Sequence, residues 1–282
     1  MQFLSVLFLI FNIVLFAPAQ HAIAACESSL KLEGTIIVDS CAPDENECIP
    51  ASKAIFDYSQ SAKMDSGVYS LFMHSSPWHL YDGNMRIITV EELAEIVKSQ
   101  MGDKYKSIEL IASWSGVAPD PNGKSLAQKL SDALGGFPVK GMDGFVWLSK
   151  AGVTRTTTQA NTIKRMKYPY RIHPGGEVMA SAAVASPIDF EEDYVTKKDA
   201  EGIMRVGAAL DIFSLCHDKA LEYFEAGAKL SNSIAAYNAA LIHLERGKKG
   251  DLEAATALLS QAAALGDKKA QARLQKLKRQ EQ

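Results

Sequence analysis

Two residues have the types and the setting for nucleophilic chemistry, His74 and Ser113. His74 closes the apolar run Val68-Tyr-Ser-Leu-Phe-Met73, and Ser113 closes Ile108-Glu-Leu-Ile-Ala112. An imidazole in reach of a hydroxyl can take its proton and make it a nucleophile for acyl transfer. Ser115 offers a second hydroxyl, but the strand register favours Ser113. Ser75, Trp78, Trp114 and Ser115 fall where they would line a binding rim, and Trp147 is a third indole for it. No carboxylate adjacent in sequence orients His74. Asp39, Asp82 and Asp143 serve only if folding brings one near. His79 and His173 read as lone, polar surface residues. No Gly-rich phosphate loop stands out, and no Cys, His or carboxylate group has metal-ligand spacing. Neither a cofactor nor a metal is expected.

The elements that must position these residues follow from hydrophobic periodicity. The two apolar runs flank an amphipathic segment, the signature of strand–helix–strand with parallel, buried strands. In an open parallel sheet, catalytic groups gather beyond the carboxyl ends of the strands, where both His74 and Ser113 lie. Thr89 with Glu92 forms a capping box, so the helix runs from there to about Gln100 and buries Leu93, Ile96 and Val97. Further strands are predicted at Thr35–Asp39, after Phe137 and at Gly144–Ser149. Helices are predicted over 51–64 and 125–134, the latter stopped by Gly135-Gly136. Thr154 to Thr158 reads as extended. The stretch from Gly144 to Gly176 is basic and free of acidic residues, which suits a solvated hairpin or an anion-binding rim. Alternating strands and helices imply an α/β sandwich around a mainly parallel sheet.

The chain has 282 residues, 47% of them hydrophobic, so a sizeable core is available. The net charge of −3 gives no reason to expect nucleic acid as a partner. Residues 1–25 read as a secretory signal peptide: Phe3 to Phe16 is uncharged and nearly all apolar, and a small-residue stretch ending Ala-Ile-Ala-Ala25 follows. The run is short for a membrane span. Ile23-Ala-Ala-Cys26 also resembles a bacterial lipobox, in which Cys26 would carry lipid, the one route to a membrane. Simple cleavage near Ala24 or Ala25 is the alternative. Cys41 and Cys48 bracket a turn-rich loop that a disulfide can close. Cys216 reads as a buried apolar residue. Export to the periplasm or cell envelope fits this usage.

Beyond an acidic linker, 181–198, residues 199–282 are helical and repetitive. Ala220, Ala228, Asn232 and Ala235 recur one repeat later as Ala255, Ala263, Asp267 and Ala270. A period in the thirties with helix–turn–helix units means a stacked solenoid. This stretch resembles Sel-one-like repeats, relatives of the tetratricopeptide repeat. It departs from them in Ala239-Ala240 for the usual Leu-Gly and His243 for the usual Tyr. The resemblance implies protein binding on a helical face. Two repeats are few, so the module is expected to pack on the α/β part or on a partner, with the helix from Asp199 presenting Ile203, Val206, Leu210 and Phe213.

Residues 27–180 are expected to form one α/β domain, which over roughly 33–150 resembles the caspase–gingipain–CHAT group of cysteine peptidases. There one strand ends in His-Gly and a later one in a Cys nucleophile followed by a small residue. The matching stretches are Leu71-Phe-Met-His74-Ser-Ser-Pro77 and Leu110-Ile-Ala-Ser113-Trp-Ser-Gly116. Ser75 stands for the Gly and Ser113 for the Cys. A thiol supplies some thiolate at neutral pH and a hydroxyl does not. The expectation is a degenerate peptidase-like domain followed by helical repeats, acting as an exported scaffold or inhibitor, of the kind found in immunity proteins. The alternative is an envelope hydrolase, a peptidase or esterase, using Ser113 and His74.

Overall fold

The computed structural model describes residues 26, 30, 32–42, 45–61, 65–164 and 169–280. The expected signal segment, 1–25, lies outside them. In chain order the first elements are β1 (Thr35–Asp39), β2 (Ile49–Pro50), α1 (Ala51–Gln60), β3 (Val68–Phe72), β4 (His74–Ser75), β5 (Leu80–Tyr81), β6 (Ile87–Ile88), α2 (Val90–Gln100) and β7 (Ser107–Ile111). There follow α3 (Leu126–Ala133), β8 (Val139–Gly141), β9 (Phe145–Leu148), β10 (Thr154–Thr157), β11 (Ala160–Lys164), β12 (Arg171–Ile172) and β13 (Val178–Met179). The rest is helical: α4 (Glu191–Lys197), α5 (Ala200–Ile212), α6 (His217–Lys229), α7 (Ser233–Arg246), α8 (Asp251–Ala264) and α9 (Lys268–Gln280).

The strand–helix–strand unit forms as its periodicity predicts. β3 pairs β7 in parallel, Val68 opposite Ser107 through Phe72 opposite Ile111, and β8 adds to the other edge of β7. Thr89 caps α2: its hydroxyl accepts from the Glu92 N–H, and the Glu92 carboxylate accepts from the Thr89 N–H. This satisfies two donors that the helix cannot pair internally. The helix buries Val90, Leu93, Ala94 and Val97, while Ile96 is 40% exposed, contrary to expectation. Ala94 takes the core position instead, because it lies on the Val90–Leu93–Val97 face.

One mainly parallel sheet does not form. Among the described residues the strands divide into five small sheets, of which β1–β11 and β3–β7–β8 are parallel. The hairpins β4–β5–β6 and β10–β9–β13 and the pair β2–β12 are antiparallel. The physical reason is length: each of these strands has only two to five residues, too short to carry one continuous sheet. The α/β character with a helical C-terminal region stands. Residues 181–198 are not a loose linker. They make two 3₁₀ turns, Ala182–Val184 and Ser186–Phe190, then α4, with Glu191, Glu192 and Asp193 in its first turn, where the helix dipole favours them.

The five helices from α5 pack pairwise as a repeat-like stack. Asp199 caps α5 through the Gly202 N–H, and Ile203, Val206 and Leu210 are buried while Phe213 is partly so. His243 takes the place of an expected Tyr and bridges Asp251 at the start of α8 (2.9 Å) to Glu225 on α6 (2.8 Å). As expected, the helices pack on the α/β part. Tyr81, Met85 and Ile87 of the β5–β6 hairpin share one core with Met204, Phe224 and Tyr237. Asn238 of α7 accepts from the Ile87 N–H and donates to the Met85 carbonyl, and Arg86 pairs with the buried Asp267. Burying a side chain such as Ile87 or Tyr237 contributes on the order of 1.5–3 kcal/mol.

Two disulfides are present, Cys41–Cys48 as expected and Cys26–Cys216, with Cα–Cα distances of 6.4 and 5.3 Å. Cys216 is therefore not a free apolar residue. It ties the N-terminal end of the described chain to the helical region. A Cys26 sulfur held in a disulfide is not available for the thioether that lipidation needs. Disulfides belong to an oxidising, extracytoplasmic compartment. Among the described residues no helix is long and apolar enough to cross a membrane.

Candidate functional site

The strand ends meet, but the expected pair does not. β4 follows β3 directly, and the Ser75 hydroxyl donates to the Ser113 carbonyl at 2.6 Å. The segment Ser113 to Gly116 forms a tight turn in which Trp114 adopts a left-handed φ of 64°. That turn lies against β8: a Cβ on Gly116 would come within 2.9 Å of Gly141 backbone, so the position needs glycine. Ser113 is buried, and its Oγ accepts from the Val146 N–H at 3.0 Å. No hydrogen bond joins it to His74. Ser115 is likewise built in, donating to the Leu110 carbonyl and accepting from the Met142 N–H. Trp114 packs edge-on against Phe145 in the core, and Trp147 donates to Thr157 under the Arg155 guanidinium. These two indoles are core rather than rim.

His74 is isolated chemically. Its Nδ1 is buried without a hydrogen-bond partner, and burial lowers its pKa to about 4. It lies between a 90 Å³ cavity walled by Phe72, Ile111, Val146 and Leu148 and a 260 Å³ cavity reached by Ser52 and Arg205. Neither Asp82 nor Asp143 orients it. Asp82 accepts from the Asn84 and Arg86 N–H groups of its own turn, and Asp143 accepts from Thr156.

The chemistry gathers a few residues away, where the β4–β5 turn meets α5, α6 and α7. His79 is not a surface residue: it is 4% exposed. Asp211, fully buried in α5, is the hub. Its Oδ2 accepts from Ser76 Oγ (2.6 Å), Tyr81 OH (2.7 Å) and His79 Nδ1 (3.2 Å), and its Oδ1 faces His217 Nδ1 (3.1 Å). His79 Nε2 donates to Glu245 of α7 at 3.0 Å, and Glu245 also pairs with Lys129. Burial alone would lower the His79 pKa, but the carboxylates on both its nitrogens raise it to about 9. Burial would raise the Asp211 pKa, yet His217 and His79 hold it far below the carboxylate range. Burial and the Asp211 charge push the Tyr81 phenol well up, so it stays a donor. At neutral pH the centre is an imidazolium clamped between two carboxylates.

Trp78 stacks on His217, rings 4.9 Å apart. With His79 and Glu245 it opens into a cleft of about 250 Å³ between α2, α3 and α7, where Lys129, Leu241, Leu244 and Arg273 also line the wall. Of the expected rim residues, Trp78 alone faces this cleft. A second group, Cys41, Glu45, Cys48 and His173, also converges, but its two sulfurs are joined to each other.

Sequence reasoning missed His79, Asp211, His217 and Glu245. One signal was available: Asp211 interrupts the apolar run Ala208-Ala209-Leu210-Asp211-Ile212 on a buried helix, and a carboxylate is almost never buried without partners. Its partners lie in distant parts of the chain.

The fold and site define an α/β unit whose β4–β5 turn is locked into a helical-repeat-like region by a buried ion cluster. A family model described as a domain of unknown function (DUF8616) matches residues 44–156. That span covers the strand–helix–strand unit and His79 but ends before Asp211, His217 and Glu245. No curated protein and no solved structure matches the chain.

Proposed function

We propose that this is an exported, non-catalytic binding protein of the cell envelope: a signal peptide, a degenerate caspase–gingipain–CHAT-like domain and Sel-one-like repeats, serving as scaffold or inhibitor of another protein. The observation that carries the non-catalytic reading is the Ser113 hydroxyl, buried and occupied by the Val146 N–H with no bond to His74. A serine nucleophile needs an aligned base, and the base an orienting group. The helical face that such repeats use for partners is here largely taken by the protein's own β5–β6 hairpin, through Asn238, Asp267 and Tyr237. The partner is therefore assigned to the neighbouring open cleft, whose leucines and flanking Lys129, Glu245 and Arg273 suit a protein surface of mixed apolar and charged character.

The test combines labelling and cross-linking on the oxidised mature protein. A serine-directed fluorophosphonate probe is expected to leave it unlabelled. A photoreactive residue in place of Lys129 is expected to cross-link an envelope protein, and the same residue in place of the exposed Ile37 is not. Stoichiometric labelling that disappears in both Ser113→Ala and His74→Ala would make the protein a hydrolase.

A further inference from the structure

The geometry points to a divalent metal site, best suited to Zn²⁺, formed by His79, Asp211 and His217 at the junction of the α/β unit and the helices. One ligand atom from each of the three lies within 4.8 Å of the others. The two imidazole Nδ1 atoms stand 3.2 and 3.1 Å from the Asp211 carboxylate oxygens. Ligands 2.0–2.1 Å from a tetrahedral Zn²⁺ are about 3.3 Å apart; each imidazole is already at that distance from one carboxylate oxygen, His79 from Oδ2 and His217 from Oδ1, and an ion would draw together ligand atoms that lie within 4.8 Å of one another. Two imidazoles and one carboxylate are a known zinc donor set that leaves a fourth position open.

The surroundings are those of a ligand set already oriented. A metal-bound imidazole usually donates its other N–H to a carboxylate, and His79 Nε2 does so to Glu245. A ligating carboxylate is usually itself hydrogen-bonded, and Asp211 accepts from Ser76 and Tyr81. Hydrogen bonding accounts for His79 without help, since a carboxylate meets each of its nitrogens. It does not require a second imidazole, yet His217 aims Nδ1 at the same carboxylate with its ring 5.0 Å from that of His79. The His217 side chain is 23% exposed, which gives the ion a way in. His79 comes from the β4–β5 turn and the other two ligands from α5 and α6. The ion therefore cross-links the two regions, with neutral imidazoles as ligands and the displaced proton released to solvent.

Chelator-treated, disulfide-intact protein is titrated with Zn²⁺ by calorimetry, and with Co²⁺ for its visible ligand-field bands. One ion per chain is expected, with a rise in melting temperature. His217→Gln is expected to abolish binding while leaving the circular dichroism spectrum of the folded protein. Glu245→Gln, which among the three ligands touches only His79, is expected to weaken binding about 10–100-fold, and His173→Gln to leave it unchanged. Absence of stoichiometric binding overturns the proposal. So does binding that survives His217→Gln, or that is lost in His173→Gln, which would place the ion at the Cys41–Cys48 loop.

Discussion

His74 and His79 belong to the same short hairpin and each has a ring nitrogen shut away from water, yet they are driven to opposite charge states. At the strand end, His74 meets apolar walls and has a partnerless nitrogen, and its pKa falls to about 4. At the junction, His79 has a carboxylate on each nitrogen, and its pKa rises to about 9. Burial acts the same way on both, because it always disfavours the charged imidazole. The difference lies in what the neighbouring element supplies. β7 and β9 bring Ile111, Val146 and Leu148 to the cavity beside His74, while α5 and α7 bring Asp211 and Glu245 to His79. The strand ends at Ser113 and Ser115 are core, and the charged buried groups gather at the seam between the two regions.

The sharpest way to break this comparison is at its hub. Asp211→Asn in metal-free protein leaves the His79 imidazolium, the Tyr81 phenol and the Ser76 hydroxyl without the charge they share. Removing one partner of a buried ion pair costs about 3–5 kcal/mol, to be read as a fall in the urea midpoint. A loss below about 1 kcal/mol would mean that the cluster does not hold the seam.

Next in size is an effect of pH at the strand end. The unfolded chain takes up the His74 proton near 6.5 and the folded chain only near 4. Between those values the unfolded state binds more protons, so the fold loses stability as pH falls from about 6.5 to 4, and the loss levels off below. The total is about 3 kcal/mol. Urea unfolding of wild type and His74→Leu over that range isolates it, because the variant lacks this component. Parallel curves would show that the fold does not hold His74 neutral.

The smallest change concerns the hydroxyl. Ser113→Ala leaves the buried Val146 N–H without an acceptor, which costs about 1–3 kcal/mol, measurable by thermal unfolding. Cross-linking through the cleft is expected to be unchanged. A stability loss paired with lost cross-linking would tie the turn to the binding surface after all.

Local signals fixed much of the scaffold. Period-two and period-3.6 patterns located β3, α2 and β7 and their parallel pairing, Thr89–Glu92 marked the helix start, and the loop between Cys41 and Cys48 announced its bridge. The repetition of small residues announced the stacked helices and their need to pack on something. Each of these is decided within a few residues or one repeat, where neighbours in sequence are neighbours in space. The division of the strands into five small sheets was not legible, because pairing of two-residue strands depends on what happens to lie beside them. Nor was the Cys26–Cys216 bridge, nor the meeting of His79 with Asp211, His217 and Glu245. Those groups come from a turn and three different helices, and no spacing rule connects them. An apolar helix containing Asp211 demanded partners for its carboxylate. Only the tertiary structure, by laying α5 and α7 against the β4–β5 turn, decided that the partners would be histidines, and so turned an apparent surface residue into the centre of the molecule's polar core.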